Sequence, residues 1–296
     1  MSAMRILLAA LVLAAVSAPA VAQTVPPPAA EDDNVITVTG NRDVKETVKE
    51  FVAALAPGRT ARPLHRFERE VCPLVLGLPQ HQADAIATRI RRLAGAVDMR
   101  VGDKSCGRNL FVLVTADKQK LLAEMRRKAN EAFGSLSSDK IRALSRQPGA
   151  AVVWHSEGPP IGRSGMEAFF DEGKGFYVNR TTEAATRLNS GGSRQFASAT
   201  VVVERRALDG LTVTQLADYV ALRAFTAADP ARLGSSPVPT ILRVLDAPDD
   251  AEVPASLTEW DLAFLDGFYS MKRGANVASQ RSSIAQAVEK KVTGQR

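Results

Sequence analysis

SATVVVERRALDGLTVTQLADYVALRAFT, residues 198–226, decides the fold class. Residues 198–208, β-branched and apolar up to Glu204, read as the clearest single strand of the chain. Asp209-Gly210 is a turn dipeptide. Thr212-Val-Thr-Gln215 has the spacing of a capping box, in which a hydroxyl and an amide side chain satisfy free N–H groups at a helix start. Val213, Leu216, Ala217, Val220 and Ala224 then recur at helical spacing. A strand running directly into such a helix is the repeating unit of an α/β sheet.

The same alternation extends toward the N-terminus. Residues 67–76 read as a strand broken at Pro73, 83–97 as an amphipathic helix, and 109–115 as a second strand. Helices are predicted over 117–133 and 138–146, then a strand over 150–155. Residues 157–179, rich in Gly and Pro with scattered aromatics, read as a long loop or a hairpin insertion. Toward the C-terminus, 230–254 is loop-like apart from 240–245. Ser256-Leu-Thr-Glu259 is predicted to cap a helix with Leu257, Trp260, Phe264, Leu265 and Phe268 inward, and a last helix spans 278–292. The expected architecture is a single α/β (or α+β) domain over 64–296 with a mixed sheet and amphipathic helices.

Composition bounds the function. The chain has 296 residues, 45% hydrophobic and 24% charged, with mean hydropathy −0.07, values that exclude wholesale disorder and a polytopic membrane protein. The formal charge of +6 favours acidic partners or anionic surfaces. Arg5, the apolar run 6–16 and Ala20-Val21-Ala22 make a signal peptide over 1–22, with cleavage before Gln23 and a periplasmic or secreted product. That run is too short to span a bilayer, and no later stretch is apolar enough, so no transmembrane segment is expected in the mature chain. Residues 23–63 read as a flexible arm with a short strand (Val35, Ile36, Thr37, Val38, Thr39) and a helix from Val44 to Leu55. In an oxidising compartment, Cys72 and Cys106 are most simply one disulfide.

Recognisable catalytic chemistry is scarce. His155, with Ser156 and Glu157, is the only local cluster suited to acid–base work. Ser164 in Gly162-Arg-Ser164-Gly165 lacks the second glycine and the preceding strand of a nucleophile elbow. His155, Glu157 and Ser164 are therefore the candidates for a hydrolase with an unrecognised active site. No P-loop or G-x-G-x-x-G is present, so no cofactor is expected, and the isolated histidines offer no metal site. Arg89, Arg91, Arg92, Arg126, Arg127 and Lys128 read as solvated helix faces. Without interleaved aromatics they do not favour nucleic acid as a partner. Asp218 and Tyr219 are the only groups of helix 212–226 with possible acid–base or ligand use, and one carboxylate with one phenol makes a poor zinc site. The helix reads as structural, and Asp218→Asn is expected to leave fold and binding intact.

Three resemblances complete the reading. Residues 257–269 contain Asp261, Leu265 and Tyr269, spaced like the later helix D-x-x-x-L-x-x-L-Y of zincin-type metallopeptidases. The preceding strand and helix occupy the place of that family's metal helix, but residues 212–226 hold no histidine, so the resemblance implies a degenerate, non-catalytic relative. DDNVITVTGNR, residues 32–42, resembles the TonB box of outer-membrane receptors, which implies strand addition to a partner and a TonB-system adaptor. VCPLVLGLP (71–79), CGRNL (106–110) and LDGLTVTQLADYVALRA (208–224) resemble an uncharacterised secreted family of alphaproteobacteria. The leading expectation is a non-catalytic envelope protein that binds another envelope protein or an anionic envelope component.

Overall fold

In the computed structural model, residues 41–58, 63–162, 165–178, 192–248 and 251–294 are described. The signal-peptide stretch 1–22, the strand Val35 to Thr39 and Ser164 lie outside them. Helix α1 (Asn41–Leu55) leads the described chain, followed by strand β1 (Pro73–Leu76), helix α2 (Gln80–Ala96) and strand β2 (Leu110–Thr115). Helix α3 (Lys118–Lys128), a 3₁₀ turn (Asn130–Phe133) and helix α4 (Ser138–Arg146) lead to strand β3 (Ala151–Glu157). Four short strands follow: β4 (Ile161–Gly162), β5 (Phe169–Asp171), β6 (Phe176–Val178) and β7 (Gly192–Ser193). The chain re-enters the sheet as β8 (Phe196–Glu204) and leaves through helices α5 (Val213–Thr226), α6 (Glu259–Ser270) and α7 (Val277–Val292).

The main sheet has the order β1-β2-β8-β3. β1, β2 and β8 run parallel, while β3 pairs antiparallel to β8 and forms an edge. The sheet is therefore mixed, and β8 is central, as its uninterrupted apolar sequence requires. Alternating side chains divide the core. Val75, Leu110, Val112, Ala199, Val201 and Val203 face the large cluster with α1, α2, α5, α6 and α7. Val152, Trp154 and Val202 face Leu122, Phe133 and Ile141 of the α3–α4 layer. The result is α/β with helices on both faces of the sheet, and residues 40–296 make up one compact unit.

Several expectations change. The first strand begins only at Pro73, because proline donates no ladder hydrogen bond; before it, only isolated bridges such as Arg66–Gln195 and Val71–Val101 form. Helix α1 was assigned to an N-terminal arm, yet Val48, Phe51, Val52 and Leu55 are buried in the main core, with the Phe51 ring edge-on to Trp260 and Phe264. The C-terminal capping box falls two residues later than expected. Thr258 caps α6 with Asp261, whose buried carboxylate also takes Thr240 Oγ1 (2.6 Å) and the Ile241 N–H (2.9 Å). Burial raises the Asp261 pKa in spite of those bonds. Lys118, at the start of the basic helix α3, is buried and donates to the Gln147 and Gly149 carbonyls. The capping box of Thr212 and Gln215 forms as read.

Cys72 and Cys106 are bonded, with Cα atoms 6.0 Å apart. Gly102 lies against the bridge: a Cβ there would meet Sγ of Cys106 at 2.4 Å and of Cys72 at 2.5 Å. Among the described residues, no helix is long and apolar enough to cross a membrane.

Candidate functional site

Helix α5 has almost no solvent-facing side, since every residue from Gln215 to Thr226 is buried. Its polar side chains must therefore find partners inside the protein or remain in want of one. Asp218 is fully satisfied. Arg89 of α2 grips it with two hydrogen bonds (2.7 and 2.9 Å), and the Leu257 N–H adds a third (2.8 Å). Arg89 thus belongs to an interior ion pair, not to a solvated face.

Arg223, one turn further on, is not satisfied. It is only 4% exposed, and among the described residues it forms no ion pair. Of its five N–H donors, one goes from Nη1 to the Tyr219 hydroxyl (2.6 Å), and Nε has no partner. The guanidinium lies 5.6 Å from the Tyr219 ring centre. Tyr219 accepts from Arg223, so its own O–H is free to donate, and burial raises its pKa.

These two side chains line a groove of about 1820 Å³. α4 forms one wall with Leu136, Lys140 and Leu144 in and just before it. Residues 229–248 and 251–258 form the other with Val238, Leu242, Val253 and Pro254, and β3 lies between them with Ala151, Val153 and His155. Asp229, Asp246 and Glu252 also line it, beside the cations Lys140, Arg146 and Arg243. Asp229 and Asp246 act electrostatically on Tyr219, and each accepts one backbone N–H, from Ala231 and Ala150. At the groove's end, Gly149 has φ +81, and a Cβ there would come within 3.0 Å of the Asp246 carboxylate. An apolar trough with a desolvated cation is suited to holding an anion joined to apolar groups.

The sequence candidates do not converge on this chemistry. His155 Nε2 donates to the Ala224 carbonyl (2.8 Å), and its ring stacks on Phe196 at 4.1 Å. Glu157 bonds Arg194 (2.7 Å) at the surface. Among the described residues no cluster of three or more His, Cys, Asp or Glu could hold a metal ion. Asp261 and Tyr269, the positions of the metallopeptidase resemblance, act as a cap and as a tie: Tyr269 donates to the Phe225 carbonyl (2.8 Å), joining α6 to the end of α5.

Burial, helped by the nearby Arg223 and His65 charges, lowers the His155 pKa from 6.5 to about 4. His155 is neutral at pH 7. The unfolded chain binds the proton first, so this contribution is fully present above about pH 7.5 and declines as pH falls toward 4. His155 lines the groove and is half-buried, which reduces the effect to roughly 1–2 kcal/mol at pH 5. Urea unfolding at pH 7.5 and 5 should show a smaller pH penalty in His155→Phe than in the parent. An equal penalty in both would refute this.

Sequence reading singles out Tyr219 only as half of a poor zinc site and passes over Arg223, because it looks for nucleophiles and metal ligands. A signal was nevertheless present: with apolar residues all round the helix, no polar face remains for an arginine to occupy. A second exposed surface is the β5–β6 hairpin, where Phe169, Phe170, Phe176 and Tyr177 are all exposed and Phe170 packs edge-on to Tyr177.

Compared with known proteins, the chain matches no family model, no curated protein and no solved structure.

Proposed function

We propose that this is a secreted or periplasmic, non-catalytic binding protein whose groove receives an anionic, partly apolar ligand of the cell envelope. The observation that carries this reading is Arg223, a buried guanidinium with no carboxylate partner at the base of an apolar groove. An uncompensated buried cation costs several kcal/mol, and a ligand carboxylate or phosphate with bidentate geometry would offset that cost. The disulfide and the signal-like N-terminus support export. The exposed aromatic hairpin supports an apolar envelope partner. A strand, helix and later helix in metallopeptidase-like order are retained in this reading as scaffold. Arg223 and Tyr219 supply its recognition chemistry.

Dodecanoate and dodecyltrimethylammonium serve as probes of equal apolar length and opposite charge. Calorimetry should show dodecanoate binding at least tenfold more tightly than the cation. Arg223→Met should remove that preference while leaving the melting temperature unchanged or higher, because an unpaired buried charge is lost. Equal affinity for both probes, or dodecanoate binding undiminished in Arg223→Met, overturns the proposal. Stoichiometric zinc in the purified protein would overturn its non-catalytic part.

A further inference from the structure

The groove has an unused hydrogen-bonding wall. β3 pairs with β8 on one side only, and no other described strand pairs with it. The Glu204 N–H donates to the Ala150 carbonyl (2.9 Å), and the register aligns Val152 with Val202, Trp154 with Thr200 and Ser156 with Ser198. In an antiparallel ladder the hydrogen-bonding residues alternate. Ala150, Val152, Trp154 and Ser156 therefore bond to β8, while Ala151, Val153 and His155 turn their N–H and C=O groups to the free edge. Ala151, Val153 and His155 also line the groove.

Edge, walls and cation together define the occupant. We infer that the groove binds an extended polypeptide segment, which adds as a strand to the free edge of β3 and directs an Asp or Glu side chain to Arg223. This rests on the anion reading above and names its ligand class. Main-chain bonds to Ala151, Val153 and His155 would supply affinity without sequence preference. Side chains of an added strand alternate between the two faces of the sheet. Those on the α5 side meet Tyr219 and Arg223, whose donors converge on a carboxylate. Those on the α4 side meet Leu136 and Leu144. The motif expected is therefore an acidic residue flanked on both sides by apolar ones. A fatty acid or lipid phosphate would use Arg223 but leave the strand edge unbonded.

The test uses the whole mature protein, immobilised, and a library of octapeptides acetylated at the N-terminus and amidated at the C-terminus. Side chains are then the only source of carboxylate. Retained peptides should be enriched in Asp or Glu between apolar residues. An enriched peptide should lose at least tenfold in affinity when its alternate backbone amides are N-methylated, and as much again in Arg223→Met. If dodecanoate binds through Arg223 but no capped peptide is retained, or N-methylation has no effect, the strand inference falls and the anion reading stands. Retention only of peptides with a free C-terminal carboxylate also overturns the side-chain assignment. If peptides are retained equally by Arg223→Met, the assignment of their carboxylate to Arg223 falls, and the anion reading falls with it when dodecanoate binding is also undiminished in that variant.

Discussion

Asp218→Asn is expected to lower the unfolding free energy by about 3 kcal/mol, the range for removing one partner of a buried ion pair. Asp218 is wholly buried and joins three segments: Arg89 on α2, its own helix α5, and the Leu257 N–H at the entry to α6. An asparagine keeps the shape but presents an N–H₂ group where one oxygen accepted hydrogen bonds, so a donor faces a donor. Arg89 is 27% exposed along its side chain, which lets it recover some water and keeps the loss toward the low end. For a domain of this size the melting temperature should drop by roughly 6–12 °C. This reverses the expectation from sequence, where Asp218 looked dispensable. Melts of the two proteins side by side decide it, and a shift of less than about 2 °C would show that the ion pair does not hold α2, α5 and α6 together.

Opening the Cys72–Cys106 bridge should have an effect of similar size. The cysteines are 34 residues apart, and freeing that loop in the unfolded chain costs about 3–4 kcal/mol of stability in the chain-entropy treatment. The bridge joins the residue preceding β1 to the approach to β2, where the Cys72 N–H also bonds Asn109 Oδ1 (2.9 Å) and the Cys72 carbonyl accepts from Asn109 and Leu110. Those bonds hold the two segments in register, so the reduced protein should remain folded with a lower urea midpoint. Thiol counting on denatured, unreduced protein should return none. Two free thiols, or equal midpoints for the oxidised protein and the Cys72→Ala/Cys106→Ala pair, would refute it.

Much of the fold was legible because local signals agreed with tertiary demand. The apolar run of β8, the turn at Asp209-Gly210 and the Thr212–Gln215 box all specify the same strand-to-helix unit. Signals failed where distant partners intervened. Thr258 won the cap of α6 over Ser256 because Asp261 could also serve Thr240 and Ile241, which no local pattern reveals. Helix α1 looked peripheral because a Pro- and Gly-containing stretch follows it, yet its apolar face completes the core with α6 and α7. The anchor of the groove was harder still. Arg223 and Arg89 are the same residue type on helices; the all-round apolar character of α5 marks Arg223 as buried, but sequence gives no means of knowing which of the two meets a carboxylate.

By itself the sequence determined the α/β class, the principal helices, the central strand and the cysteine pair, because periodicity, capping and turn chemistry act within a few residues. Only the tertiary structure decided that Asp218 is spent on Arg89 and that, among the described residues, β3 is an edge strand and Arg223 has no carboxylate partner. Pairing between buried charges depends on which helix faces are pressed together, and that is fixed by packing across the whole domain.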